Sequence, residues 1–464
     1  MPKYSLGLDY GTNSVRGVLI DVADGATLET SVWPYRRGDE GVFYDDADPN
    51  LARQHPGDYG DGFEACVRGV LGESGVDPED VVGIGVDTTG STPLPVAPDG
   101  TALALDSHWS DNVDSYAWLW KDHTSHAEAA EITAKARELG EPYLAKCGGT
   151  YSSEWFWSKI LHCARAAPEV FSAAHSWVEL ADYVPALVTG NLGTPARGVC
   201  PAGHKAMYSV QWGGLPSKAF LDRLDPSLGA LRSRLYDTAV PSNRSAGGVS
   251  AEWAKKTGLR EGTPVAVGAF DAHFGAVGAG VKPGTIVKII GTSTCDCLVH
   301  PLDQPLKDIP GVCGIVEGSI LPDFYGIEAG QSAVGDLFAW FTEFTSQSHA
   351  ELSDAAAHLR PGASGLVALD WNNGNRTVLV DPLLTGLIVG QTLHTTAAEA
   401  YRALIEATAF GALMIIERLE AYGVKVEEVM NCGGIAEKSA LTMQIYASVM
   451  NRPMKVSSSS QTCA

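Results

Sequence analysis

Short apolar runs separated by small polar residues set the pattern of this chain. Residues 4–8 and 15–20 are two such runs, and between them lies Asp9-Tyr10-Gly11-Thr12-Asn13-Ser14. Runs of this length bounded by turn formers predict strand, tight turn, strand. The pattern returns late in the chain. Residues 264–280 (PVAVGAFDAHFGAVGAG) give an apolar strand, an acidic turn at Asp271 and a small apolar continuation, and residues 284–298 (GTIVKIIGTSTCDCL) give a strand closed by Gly291-Thr292-Ser293-Thr294. Two acidic strand turns and two Gly/Thr/Ser turns therefore stand at the heads of two halves.

Between and after these heads the periodicities alternate. Residues 38–58 read as loop, 59–71 as a helix and 81–86 (VVGIGV) as a buried strand whose end carries Asp87-Thr88-Thr89-Gly90. Residues 109–120, with Trp109, Tyr116, Trp118 and Trp120, predict a helix, and 177–190 a strand followed by a helix closed by Gly190. The amphipathic segment 250–257, ended by Gly258, divides the chain into domains at 1–258 and 259–464. In the second part, the stretch from residue 327 leads into a long helix through 344 with Glu328 just before that helix, 369–379 predict a turn-rich segment, and 396–423 a long helix. Residues 429–450 predict strand, Gly433-Gly434 turn and helix. Residues 454–456 read as a strand and 457–462 as a loop and N-cap whose helix would lie beyond Ala464, so a C-terminally shortened chain is expected.

Composition narrows the class. At 464 residues the chain exceeds one core, which predicts two domains, and 45% hydrophobic with 19% charged residues is the balance of a globular protein. Against 33 Lys and Arg stand 55 Asp and Glu, a net charge of −22 without a basic stripe; this argues against nucleic acid and anionic membranes. The N-terminus lacks the apolar run of a signal peptide and no uncharged stretch reaches spanning length, so a cytoplasmic protein is expected, with oligomeric state, a homodimer included, left open. The nine cysteines are scattered and form no Cys-x-x-Cys pair. Cys295 and Cys297 share one strand face and could hold a metal, but buried reduced thiols are the ordinary fate of such residues.

Candidate chemistry sits on the turns. Gly11 lets backbone approach a ligand, and Thr12, Asn13 and Ser14 supply donors to an anion. Asp9 beside a phosphate calls for a divalent cation, Mg²⁺ being the usual one; an Asx-turn hairpin with no ligand uses the same residues. Trp120 is the aromatic residue singled out for a sugar face, the other rings being assigned to core. Lys205, beside His204 in an apolar setting, suits a ligand oxygen or plain solvent, and Glu328 is positioned for a ligand hydroxyl. Gly433 and Gly434 permit a base or ribose to lie against backbone.

In order, residues 9–16 (DYGTNSVR), 268–271 (GAFD), 291–294 (GTST) and 432–434 (CGG) resemble the FGGY carbohydrate kinases of the actin-like ATPase superfamily, over the whole chain. Residues 203–207 (GHKAM), 327–332 (IEAGQS) and 371–377 (WNNGNRT) resemble the members that phosphorylate ribulose. The resemblance implies an α/β fold of two actin-like, ribonuclease H-like domains, mixed sheets flanked by helices, with ATP and sugar in the cleft between them. It implies Asp271 as general base toward the 5-hydroxyl of a ketopentose, most simply L-ribulose. Gly11, Thr12, Asn13 and Arg16 with Gly291, Thr292 and Ser293 would hold the phosphates, Asp9 would orient Mg²⁺ through water, and Gly433, Gly434 and Lys438 would border the adenine. Gly90, Trp120, Lys205 and Glu328, with Asp271, would line the sugar pocket. Asp271 is also a natural N-cap for the small-residue helix that follows it. The rival readings are a kinase for D-ribulose, xylulose or ribitol, and an actin-like nucleotide-binding protein that phosphorylates nothing.

Overall fold

In the computed structural model, which describes residues 2–457 and 462–464, the first two apolar runs form an antiparallel hairpin of Tyr4–Tyr10 and Ser14–Asp21. Its register runs from Tyr4 opposite Asp21 to Tyr10 opposite Val15. The strand Val81–Thr88 lies parallel to Tyr4–Tyr10 on the other side, which sets Asp9 directly opposite Asp87. Thr27–Pro34 extends the sheet beyond the hairpin, and Pro264–Ala266 and Ser245–Gly248 extend it beyond Val81–Thr88.

The second sheet repeats this plan. Gly284–Ile290 and Thr294–Pro301 form its hairpin, Val426–Cys432 lies parallel to Gly284–Ile290, and Phe324–Ala329 joins the outer side of the hairpin. In each lobe, then, one strand has a hairpin partner on one side and a parallel partner on the other. Parallel pairing demands a long crossover, and here it encloses helices that cover the sheet. Gly57–Ser74 packs on the first sheet so closely that a Cβ on Gly62 would come within 2.4 Å of Val15 Cγ2, which is why that helix carries a glycine at this contact. Ala397–Ala421, started by a capping box of Thr396 and Glu399, packs on Ala440–Met450 in the second lobe. The fully buried Phe63 of the first core contributes roughly 2–3 kcal/mol by its burial alone.

Residues beyond the expected 258/259 division still belong to the first sheet: Pro264–Ala266 and Ala269–Phe270 both pair with Val81–Thr88. The passage to the second sheet falls between Phe270 and Gly284. Other expectations need correction. Residues 109–120 form no α-helix; a single turn at Val113–Ser115 leads into the short strand Ala117–Trp118, which pairs with Arg53 and Gln54. Pairing with a neighbouring strand overrides the helical spacing of the aromatic rings there. The presumed loop of residues 38–58 supplies that neighbour, since Phe43–Asp45 and Asp48–Gln54 are strands. Glu328 lies within the strand Phe324–Ala329, and the helix expected from residue 327 begins at Gly335. Residues 454–456 are the expected strand, whereas residues 458–461 of the expected terminal loop lie outside the described residues.

Candidate active site

Three neighbouring parallel strands of the first sheet end in carboxylates. Tyr4–Tyr10 carries Asp9, Val81–Thr88 carries Asp87, and Ala269–Phe270 runs straight into Asp271. Asp271 opens the helix Asp271–Gly278, where its Oδ1 accepts from the backbone N–H of Ala272 at 2.6 Å. It thus stands in the helix's first turn, the side chain half-buried. Burial, then the negative charge of Asp9, pushes its carboxyl up to about 7. Asp9 is raised by burial, although Arg16 Nη1 lies 3.8 Å from its Oδ2 and pulls the other way. Asp87, 1% exposed, is raised strongly by burial and by the charges of Asp9 and Asp271. The carboxyls of Asp9 and Asp87 are near enough to share a proton, and Asp87 Oδ1 has no hydrogen-bond partner among the described residues. Three carboxylates crowded beside one exposed guanidinium form a site waiting for positive charge.

The two Gly/Thr/Ser turns have their own supports. Gly11 N donates to Ser14 O at 3.0 Å, and Trp120 Nε1 donates to Thr12 Oγ1 at 3.0 Å while Gln54 Nε2 donates to Thr12 O at 2.7 Å. Asn13 is tethered through its side-chain amide to Glu40 O at 2.7 Å. Trp120 is therefore joined to the first turn itself. In the second lobe Gly291 N donates to Ser293 O at 2.9 Å, and Val334 N and Gly335 N donate to Thr292 O and Gly291 O at 2.9 and 3.0 Å. Gly291 and Thr292 are exposed, and among the described residues a Cβ built on Gly291 would meet only Ser293 O, at 4.0 Å. Gly433 has φ +91° and would bring a Cβ within 2.5 Å of Ile290 O, so this turn lies against the Gly291 turn and admits only glycine. Gly434 is open and exposed, and Lys438 is exposed four residues further along.

Lys205 and Glu328 meet from opposite lobes. Lys205 closes the helix Val199–Lys205 and its Nζ donates to Glu328 Oε1 at 2.7 Å, with both residues buried. Burial alone would lower the lysine, but the Glu328 carboxylate holds it above its ordinary value; Glu328 in turn is kept well below the usual carboxylate range against its own burial, chiefly by Lys205. Further ties run alongside: Arg376 Nη2 to Glu154 Oε1 at 3.3 Å, Lys146 to Asp308, and Gly311 N to Gly148 O at 3.2 Å. Gly90 has a different part, since the Phe270 ring fills the space where its Cβ would stand, within 2.1 Å. It lets the residue before Asp271 pack flat against the strand end. A cavity of about 380 Å³ also opens near the lobe junction, lined among others by Lys146, Tyr208, Arg244 and Glu317, and none of the three carboxylates borders it.

Sequence reasoning left Asp87 as part of a polar strand end and assigned nothing to His204 and His273. Asp87 meets Asp9 only through the pairing of their strands, and His273, two residues after Asp271, carries no local mark of its contact with Glu328. The cysteines are free, with Cys295 Sγ and Cys297 Sγ 4.0 Å apart.

The family model described as "FGGY family of carbohydrate kinases, N-terminal domain" matches residues 4–278, and that of the C-terminal domain matches residues 286–464. The chain is 42% identical over 481 residues to a protein named ribulokinase from Halalkalibacterium halodurans, covering all of this chain and 84% of that one. It is 43% identical over 481 residues to a ribulokinase of Geobacillus thermodenitrificans, with the same coverage. Among solved structures it is similar to a xylulose kinase from Rhodospirillum rubrum, with a TM-score of 0.81, 23% identity and coverage of 98% of this chain and 86% of that one. A gluconate kinase from Lactobacillus acidophilus gives a TM-score of 0.80 at 19% identity over all of this chain and 87% of the other. Two lobes on one plan, each with a Gly/Thr/Ser turn in its central hairpin, and family matches over both halves make this chain a member of the FGGY family of carbohydrate kinases.

Proposed function

We infer that the protein is an ATP-dependent kinase that phosphorylates the 5-hydroxyl of ribulose, most simply L-ribulose, as in the breakdown of L-arabinose. The relatives named ribulokinase at 40–43% identity support the substrate class. The observation that carries the reaction is Asp271: a half-buried carboxyl that feels the charges of Asp9, Glu328 and Lys205 and whose proton affinity sits near neutrality. A general base works best when its pKa lies near the working pH, because it is then largely ionised and still basic. Asp271 would take the proton of the sugar alcohol as the alcohol oxygen attacks the γ-phosphorus. Phosphoryl transfer asks little else of the protein but alignment and charge neutralisation.

Gly11, Thr12, Asn13 and Arg16 from one lobe and Gly291, Thr292 and Ser293 from the other would grip the phosphates, while Gly433, Gly434 and Lys438 would border the base. Trp120, bonded to Thr12, would link the sugar side to the phosphate turn. Lys205 and Glu328, with Gly90 and Asp271, would form the sugar pocket. Mg²⁺ fits this site on its donor chemistry: Asp9 and Asp87 offer only carboxylate oxygens, and Asp87 Oδ1 is buried without a partner. Asp9, through water, and Asp87 would hold the ion, which supplies positive charge against the phosphates when bound.

The test is ADP release with a panel of ketopentoses and pentitols under MgATP. Turnover fastest with L-ribulose is expected. Equal or greater kcat/KM for xylulose or ribitol would move the substrate, and nucleotide binding without sugar-dependent turnover would identify a non-kinase member of the superfamily.

A further inference from the structure

Behind the Lys205–Glu328 pair lies a group of buried polar atoms without hydrogen bonds. Glu328 Oε2 lies 3.3 Å from His204 Nδ1 and 3.6 Å from His273 Nε2, and none of these three atoms makes a hydrogen bond among the described residues. All three residues are at least nine-tenths buried. Buried polar groups are nearly always satisfied, and each exception asks for an occupant. The three elements that meet here are the helix Val199–Lys205, the first turn of the helix that begins with Asp271, and the strand Phe324–Ala329. The group is thus shared by the helix that ends in Lys205, the helix that begins with Asp271 and the opposite lobe.

Resting on the reading above, we propose that His204, His273 and Glu328 form a hydroxyl-binding triad that receives one secondary hydroxyl of the ketopentose and makes the two imidazoles specificity-determining residues. A hydroxyl has one donor and two acceptor lone pairs. The triad offers the complement: one carboxylate oxygen to accept, and two imidazole N–H groups to donate. Ser319 Oγ lies 2.9 Å from His204 Nε2 and 3.1 Å from Val316 O; the tautomer the triad requires, with the proton on Nδ1, is the one in which that hydroxyl donates to Nε2 in place of Val316 O. Burial keeps both imidazoles below their ordinary pKa, His273 down to about 4, so they serve as neutral donors. Two His and a carboxylate could also ligate a divalent metal, since their atoms lie within 4.8 Å of one another. The charge balance opposes it: Glu328 is already neutralised by the Lys205 ammonium at 2.7 Å, and a dication would enter a buried site with no further anion in the triad. A hydroxyl brings no charge.

The experiment compares wild-type enzyme with His273→Ala, His273→Asn and His204→Asn. Binding of L-ribulose and of its 3-deoxy and 4-deoxy analogues is measured by titration calorimetry, with MgATP affinity measured alongside. Expected is a loss of at least tenfold in L-ribulose affinity with MgATP affinity unchanged. One deoxy analogue should bind wild type as weakly as the variants bind L-ribulose, and should lose nothing further in the variants. A merely structural role would weaken all sugars alike and erase that analogue-specific pattern, and unaltered binding in the variants would equally overturn the triad. Cobalt taken up by sugar-free wild type with tetrahedral d–d absorption, lost in His273→Asn, would overturn it in favour of a metal. Wild type that phosphorylates ribulose while the variants bind normally refutes the triad alone; wild type that neither binds nor phosphorylates ribulose refutes the ribulose reading and the triad with it. If His273→Ala fails to fold, His204→Asn reads the same hydroxyl from the other imidazole.

Discussion

Lys205 and Glu328 hold one another across the two lobes at 2.7 Å, each with less than a tenth of its side chain exposed. A buried pair of this kind adds little to stability against an apolar pair, but removing one partner leaves the other charged and unsolvated. Lys205→Met is therefore expected to lose about 3–5 kcal/mol in denaturant unfolding, besides raising the KM for sugar. In Lys205→Met/Glu328→Gln most of that stability should return, while the KM stays high because the sugar contacts are still missing. Stability and KM recovering together in the double variant would show that the pair acts only as an interlobe brace.

Asp271 sets a different expectation. Asp271→Asn keeps the size of the side chain and the acceptor for Ala272 N–H, and removes only the capacity to take a proton. It should lower kcat by roughly 10²–10⁴, the range that general-base catalysis supplies, with ribulose and ATP affinities within a few-fold of wild type. Steady-state kinetics and calorimetry on one preparation separate the two. Turnover near the wild-type value would mean that another group accepts the proton.

The same carboxyl predicts a pH profile. Burial and the Asp9 charge raise it to about 7, and the proposed base acts only when ionised, so kcat/KM should be full above that value and fall tenfold per unit below it. Replacing Asp9 by Asn removes a neighbouring negative charge and should move this acid limb to lower pH, whatever it does to the maximum. Stability runs the opposite way. A carboxyl with a raised folded pKa is unfavourable to the fold once ionised, so the advantage of Asp271→Asn over wild type should grow from about pH 4 to 7 and stay level above. An acid limb unmoved in Asp9→Asn would assign the limb to another group.

Much of this site was legible because it is written in short local patterns. The Asp9 and Gly11 turn, the Gly291 to Ser293 turn and the Gly433 turn each lie between a strand and the element next to it in sequence, so apolar runs and glycines place them without any long-range contact. What pairing decides was not legible. Asp87 becomes a neighbour of Asp9 only through the register of two strands separated by a long crossover, and Glu328 reaches Lys205 across 123 residues. Trp118 misled for the same reason: its spacing with Trp120 and Tyr116 suits a helix, but Arg53, stacked 3.4 Å from its ring, belongs to a partner strand that a local reading takes as loop. His273 was not legible because a histidine two residues beyond Asp271 carries no local sign that its ring meets Glu328 of the other lobe.

Asp87 yields the last expectation, and it bears on the cation. The residue is 1% exposed, lies opposite Asp9, and has one oxygen without a partner among the described residues, an arrangement whose cost falls if positive charge arrives. Asp87→Asn keeps the shape and can still hydrogen-bond Asp9 through its amide, so the local geometry should survive. Its carboxylate is lost, and the Mg²⁺ concentration for half-maximal rate should rise about tenfold or more, equivalent to about 1.4 kcal/mol of cation binding. The KM for ribulose should stay within about twofold, because the sugar contacts proposed for Lys205 and Glu328 are untouched. Paramagnetic resonance of Mn²⁺ titrated into the enzyme with ADP reads the affinity without turnover and should show the same loss. If Mn²⁺ binds the variant as tightly as wild type and only the melting temperature changes, Asp87 is a support for Asp9 and the ion rests on Asp9 alone.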